Sequence, residues 1–166
     1  MKGVLTVCFV LFFTVVGLSQ GAKLITHTRA MWILNACRTN LIHDCDGEKI
    51  ESVIRRYRLG DTSLLSPLLR AREFSDGSFA EDLDQFYGEE LQTNTIRFLT
   101  AAAFLPSRLG EDVCNHAFVD GNRAPMRRLE RRLRRIANKK TRISHLARLC
   151  INGVHDGRTH PNTGNK

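Results

Sequence analysis

The 166-residue sequence lacks several features on which common functions depend. It contains no N-x-Ser/Thr acceptor, so N-glycosylation is not expected. It has no CxxC or HxxxH spacing, the usual mark of a zinc site. Asp120, Gly121 and Asn122 match only part of a calcium loop and better fit a turn. The sequence therefore predicts no metal site and no cofactor.

Long apolar runs are also scarce. The one run without charge, residues 4–16, follows a positive start and is shorter than the roughly 20 residues of a membrane-spanning helix. Small residues follow this run. The pattern predicts a signal peptide over residues 1–21, cleaved after Ser19 or Gly21, and hence a secreted, extracellular protein that does not span a membrane.

The alternation of apolar and polar residues that marks strands is nearly absent, whereas apolar residues recur at spacings of three and four. This favours an all-α fold: one small, disulfide-stapled helical bundle over residues 22–153. Residues 154–166 are polar and predict a disordered tail. The lone tryptophan, Trp32, is expected in the core, although a receptor contact is the alternative. The other apolar positions expected in the first four helices are Met31, Leu34, Leu41, Ile42, Ile50, Val53, Ile54, Tyr57, Leu65, Leu68, Leu69 and the pattern from Leu83 to Phe104.

Cysteine is sparse, but its number is informative. Removal of the signal peptide leaves four, Cys37, Cys45, Cys114 and Cys150, which predicts two intramolecular disulfides on an oxidising route. On one unbroken helix Cys37 and Cys45 would lie roughly 12 Å apart, too far for a bridge. All three pairings stay open, and we expect at least one bridge between the two ends of the chain.

Charge is distributed unevenly around the net value of +8. The stretch from Glu73 to Glu90 has seven acids and no bases, whereas that from Gly121 to Cys150 has eleven bases and one acid. The two stretches could pair within the fold, but the basic surplus predicts a positive face. Such a face attracts sulfated polysaccharide, anionic lipid or an acidic protein surface.

The basic stretch is predicted to form one long C-terminal amphipathic helix from Pro125 to Cys150, ended by Asn152 and Gly153. Its apolar positions follow a heptad rhythm. We expect the bases outside that stripe to bind the anionic surface, unless they form only a solvated face or, at pairs such as Arg127 and Arg128, a processing site. The predicted binding residues are Arg128, Arg131, Arg132, Arg135, Lys139 and Arg142. The apolar stripe comprises Met126, Leu129, Leu133, Ile136, Ile143, Ala147 and Cys150.

One short motif points to catalysis. His43 and Asp44, followed by Cys45, resemble a fragment of the active site of secreted phospholipase A2. That family has paired cysteines before the His and a spacer after the Asp, and its glycine-rich calcium loop is missing here. Because calcium would have to stabilise the oxyanion, we expect no lipase activity and no enzyme.

Three functions stay open. We favour a secreted helical binding protein of hormone or cytokine type that engages a receptor or an anionic extracellular surface through its basic helix. The alternative is a cationic membrane-active or host-defence protein, and the distant alternative is a degenerate phospholipase-like protein. Nucleic acid is not expected as a partner, because the protein is predicted to be secreted and its basic stretch contains no interleaved aromatic residues.

Overall fold

A computed structural model describes residues 24–39, 45, 47–117 and 123–159. This part of the chain is all-helical and contains no strand, which confirms the predicted fold class. Two short 3-10 turns flank the third helix. The eight α-helices are α1 (His27–Arg38), α2 (Gly47–Arg58), α3 (Leu65–Arg70), α4 (Gly77–Thr93), α5 (Thr95–Ala102), α6 (Ser107–His116), α7 (Arg123–Ala137) and α8 (Ile143–Thr159).

The second helix follows the predicted pattern closely. All four of its expected apolar positions are buried, from Ile50 to Tyr57. The helix ends where Gly60 adopts a left-handed backbone with φ of 110°, a conformation that favours glycine. The first helix follows the pattern less well: Leu34 is buried, but Met31 is exposed and Trp32 is 48% exposed, so the expectation of a core tryptophan is wrong. An arginine on the same helix, Arg29, lies 4.0 Å above the Trp32 ring.

The long apolar pattern after residue 82 is divided into α4 and α5. Asn94 separates the two helices, whereas Gly88 lies buried inside α4. A Cβ added at Gly88 would lie 2.7 Å from the carbonyl oxygen of Ala117, at the end of α6. This glycine therefore permits the close approach of two helices rather than a chain break.

The predicted single C-terminal helix is wrong, because the chain breaks between Ala137 and Ile143 into α7 and α8, which pack against each other. The single proton of the Ser144 hydroxyl is shared between the carbonyl oxygens of Ile136 and Lys139, and the Thr141 amide donates to the Ser144 oxygen at 3.1 Å. Backbone hydrogen bonds run through the same turn, from the Lys139 amide to the Ile136 carbonyl and from the Thr141 amide to the Lys139 carbonyl, each at 3.0 Å. The Ser144 side chain adds to this network and ties the start of α8 to the end of α7.

The ends of two other helices also differ from the prediction. The last helix passes the predicted stop at Gly153 and continues to Thr159, because Val154 is fully buried against the bundle. The sequence also predicts a loop from Asp112 to Ala124 before the basic helix, but α6 continues through the first residues of that stretch to His116. The predicted signal peptide and residues 160–166 of the predicted tail lie outside the described residues.

Two intramolecular disulfides are present, as predicted, but the expected long-range pairing is wrong. Cys37 pairs with Cys45, and Cys114 pairs with Cys150. The helix α1 ends at Arg38, so the chain can turn and bring the Cα atoms of the first pair to 5.5 Å. The second bridge links α6 to α8, which pack side by side.

Candidate anionic-surface site

The helix α7 has two chemically different faces. Its predicted stripe, Met126, Leu129, Leu133 and Ile136, is at most 6% exposed. Spacings of three and four residues place these side chains on one face, and the buried stripe fixes the rotation of the helix in the bundle. The other face is therefore turned permanently toward solvent.

Arginines occupy this outer face. Arg128, Arg131 and Arg135 are separated by three and four residues and are exposed, so they form one row about 10 Å long. Arg127 lies beside this row and is also exposed. None of these four side chains has a hydrogen-bond or ion-pair partner among the described residues. We call the four, Arg127, Arg128, Arg131 and Arg135, the basic row.

Three of the predicted binding residues lie outside the basic row. Arg132 lies on the side of α7 that meets α4 and α5, where it donates to the carbonyl oxygen of Gln92 at 3.0 Å and to the Thr95 hydroxyl at 2.9 Å. Arg142 stacks on the Phe104 ring, 4.3 Å from its centroid. Lys139 is exposed, but it belongs to the turn after α7.

The helix break explains this division. A single straight helix would carry the basic face on past residue 137, whereas the turn moves Lys139 and Arg142 away from the row. The prediction also omitted one exposed base of this face, Arg127, although its spacing of four residues from Arg131 places it on the same side of the helix. Arg134 is 62% exposed on this side of α7 and pairs with Glu130 at 2.8 Å.

The acids of α4 do not neutralise the basic row. Within the described part of the chain their ion pairs lead to other helices: Asp84 pairs with Arg72 at 3.1 Å, and Glu89 pairs with Arg58 at 2.6 Å. Burial raises the pKa of Asp84 above its ordinary value, while the neighbouring Arg72 opposes that rise. Within the described part of the chain, no ion pair therefore joins the acids of α4 to the basic row.

The remaining candidates give no second site. His43 and Asp44 lie outside the described residues, so the absence of lipase activity stays a prediction. Over the described residues, no group of three or more His, Cys, Asp or Glu side chains is arranged to hold a metal ion. Among those same residues, no helix combines the length and apolarity needed to cross a bilayer. His116 bonds to the carbonyl oxygen of Asp112 one turn earlier, which is a structural role.

Comparison with known proteins finds no matching family model, no matching curated protein and no matching solved structure.

Proposed function

We propose that the chain is a secreted helical binding protein of hormone or cytokine type that engages an anionic extracellular surface through the basic row of α7. The observation that carries this proposal is the combination of four exposed arginines, which have no hydrogen-bond or ion-pair partner within the described part of the chain, with a buried apolar stripe on the same helix. The packed helix therefore holds these cationic groups at a fixed spacing, and no ion pair among the described residues neutralises them. The two disulfides fit the oxidising environment of a secreted protein.

A sulfated polysaccharide fits this face better than a membrane. Interfacial helices bury an apolar face in the lipid, but the apolar face of α7 is already buried in the bundle. The neighbouring helix α8 is tied to α6 through Cys114 and Cys150, which opposes release of the pair. Moreover, the large apolar side chains exposed in the described ranges all lie outside α7; they are Leu24, Met31, Trp32, Leu59, Ile96 and Phe104.

The test is retention of the folded protein on heparin. A variant carrying Arg128→Glu, Arg131→Glu and Arg135→Glu should elute at much lower salt than the wild type. If each base near an anionic surface contributes about 1 kcal/mol, reversing three should weaken binding by several kcal/mol. Because these side chains are exposed, circular dichroism should show an unchanged fold.

A matched control separates a specific face from net charge. Arg55, Arg70 and Arg108 are exposed bases on α2, α3 and α6, and reversing them to Glu changes the net charge by the same amount. The control should keep most of the retention of the wild type. Equal losses in the two triple variants would reduce the proposal to nonspecific attraction, and no loss in either would overturn it.

Leakage from anionic vesicles tests the membrane-active alternative. We expect the oxidised protein to bind such vesicles weakly and to leave their contents enclosed. Leakage at low protein concentration that disappears in the Arg128, Arg131 and Arg135 variant would instead favour the host-defence function.

A further inference from the structure

Five pairs of adjacent basic residues occur in the sequence, and the structure places them in two kinds of backbone. Paired bases are the sites at which the endoproteases that process secreted precursors cut. A protease needs its substrate chain extended across the active site, so an exposed turn is cut more readily than a helix. Only one of the five pairs, Lys139 with Lys140, lies outside a helix, in the turn between α7 and α8. The four helical pairs are Arg55 with Arg56 in α2, and Arg127 with Arg128, Arg131 with Arg132 and Arg134 with Arg135 in α7.

Each helical pair adjoins side chains of the core. Ile54 and Tyr57, on either side of the α2 pair, are 1% and 5% exposed. The first pair of α7 lies between Met126 and Leu129, each 3% exposed. Leu133, which is fully buried, adjoins both of the other α7 pairs. Extending any of these segments across a protease would break helical hydrogen bonds and pull apolar side chains out of the bundle. The folded protein therefore protects these four pairs.

The turn at residues 138–142 has no such protection. All five of its residues are exposed. The side chains of Lys139 and Lys140 have no hydrogen-bond or ion-pair partner within the described ranges. Arg142 stacks on Phe104, but that ring is itself 60% exposed. Opening this turn therefore breaks a few hydrogen bonds and uncovers no buried apolar side chain of its own, which is the condition for easy local unfolding.

We propose that Lys139 and Lys140 form a processing site, cut after Lys140 by an endoprotease specific for paired bases. Water hydrolyses the amide bond between Lys140 and Thr141, which leaves a carboxylate on Lys140 and an amino group on Thr141. The proposal rests on the secretion that is part of the proposed function, because such endoproteases act in the secretory route. It does not depend on binding to an anionic surface.

The cut leaves the two products joined. Cys114 precedes the cut and Cys150 follows it, so their disulfide spans the two chains. The Arg148 guanidinium also donates to the carbonyl oxygen of Ala137 at 3.2 Å, across the turn. The helix α8 keeps its packing against α6 and α7. The expected product is therefore a folded two-chain protein in which the first chain carries the basic row and the second carries α8.

The test is cleavage of the oxidised protein by a serine endoprotease of the class that cuts prohormones at paired bases. Mass spectrometry before and after reduction identifies the products. We expect one cut, after Lys140: the oxidised mass rises by one water, and only reduction separates two fragments. Lys139→Gln combined with Lys140→Gln should abolish the cut. The matched control, Arg127→Gln combined with Arg128→Gln, changes an exposed pair inside α7 and should be cut as fast as the wild type.

Resistance of the folded wild type, or an earlier cut at one of the helical pairs, would overturn the proposal. So would recovery of only the uncut chain from the medium of cells that contain this endoprotease. Heparin retention of the same samples separates this proposal from the function of the basic row. A protein that is cut after Lys140 but does not bind heparin would support the processing site and contradict the proposed anionic surface.

Discussion

The helices α4 and α7 are both amphipathic, but the charged side chains of α4 form ion pairs within the fold and those of the basic row do not. Both helices bury an apolar face in the bundle. The helix α4 contains most of the acids of the stretch from Glu73 to Glu90, and α7 contains most of the bases of the stretch from Gly121 to Cys150. In α4, Asp84 and Glu89 form ion pairs with Arg72 and Arg58. In α7, the basic row has no such partner among the described residues.

This difference shows that a charge cluster in a sequence does not reveal its use. An ion pair within the fold neutralises charge that a partner would otherwise encounter, and only the three-dimensional arrangement tells which charges are used in this way. The seven acids of the stretch from Glu73 to Glu90 could have neutralised the basic helix. Two of them, Asp84 and Glu89, pair with Arg72 and Arg58, and no ion pair joins any of the seven to the basic row among the described residues. The basic row therefore keeps its charge at the surface of the bundle.

The largest expected effect comes from removing the bridge that holds α8, the support of α7. In the chain-entropy account, the bridge between Cys114 and Cys150 closes the longer loop and should contribute about 4 kcal/mol, whereas the bridge between Cys37 and Cys45 should contribute about 2.5 kcal/mol. Replacing each pair with alanine and measuring denaturant unfolding checks this order.

The same two variants test whether binding by the basic row requires that α7 stays packed against α8. The variant without Cys114 and Cys150 should lose heparin retention at temperatures where it unfolds, and the other should retain it. A greater loss of stability in the Cys37 and Cys45 variant would contradict the assigned support of α7 by α8.

The second effect compares single arginines from the two regions. Arg72 is 14% exposed and holds Asp84, which is 12% exposed. Arg72→Ala leaves a largely buried carboxylate without its partner and should cost about 2 kcal/mol in the free energy of unfolding. Arg131→Ala removes no described contact and should change it by less than about 0.5 kcal/mol. Urea unfolding of both variants measures these changes. Equal losses in the free energy of unfolding would contradict the distinction between arginines that are paired within the fold and arginines that are not.

The smallest effect is a pH dependence in α4. The folded pKa of Asp84 is raised above the ordinary 3.8, so the folded state binds this proton more tightly than the unfolded state does. Its contribution to stability is complete below pH 3.8 and is lost as the pH rises through the folded pKa. Asp84→Asn does not titrate and should lose less stability over that window. Parallel curves of stability against pH for the two proteins would contradict the assigned shift.

Much of the helical framework could be predicted, because periodicity records which face is buried. The stripe on α2 and the stripe on α7 both follow from spacings of three and four. The break after Ala137 could not be seen in this way. Ile136 and Ile143 stand one heptad apart, so the apolar rhythm continues through the turn. The hydrogen bonds that form the turn, from the backbone and from the Ser144 hydroxyl, leave no mark in that rhythm.

The candidate site was predictable in its location but not in its membership. Helical spacing placed Arg128, Arg131 and Arg135 on one outer face, and the three are exposed in the structure, whereas their binding to an anion stays a prediction. It could not reveal that Arg132 is held by Thr95, because that contact joins residues 37 positions apart. The prediction of the disulfide pairing was wrong for the same reason, since the packing of α6 against α8 is a tertiary contact that local sequence patterns do not record.

Nuclear magnetic resonance can show whether the arginines of the basic row are available to an anion while the arginines paired with α4 are not. The Nε–Hε signals of individual arginines are followed in the oxidised protein during titration with a heparin oligosaccharide. We predict large, saturable shifts for Arg128, Arg131 and Arg135 and small ones for Arg58 and Arg72. Equal shifts in both groups, or shifts confined to Arg58 and Arg72, would contradict the account.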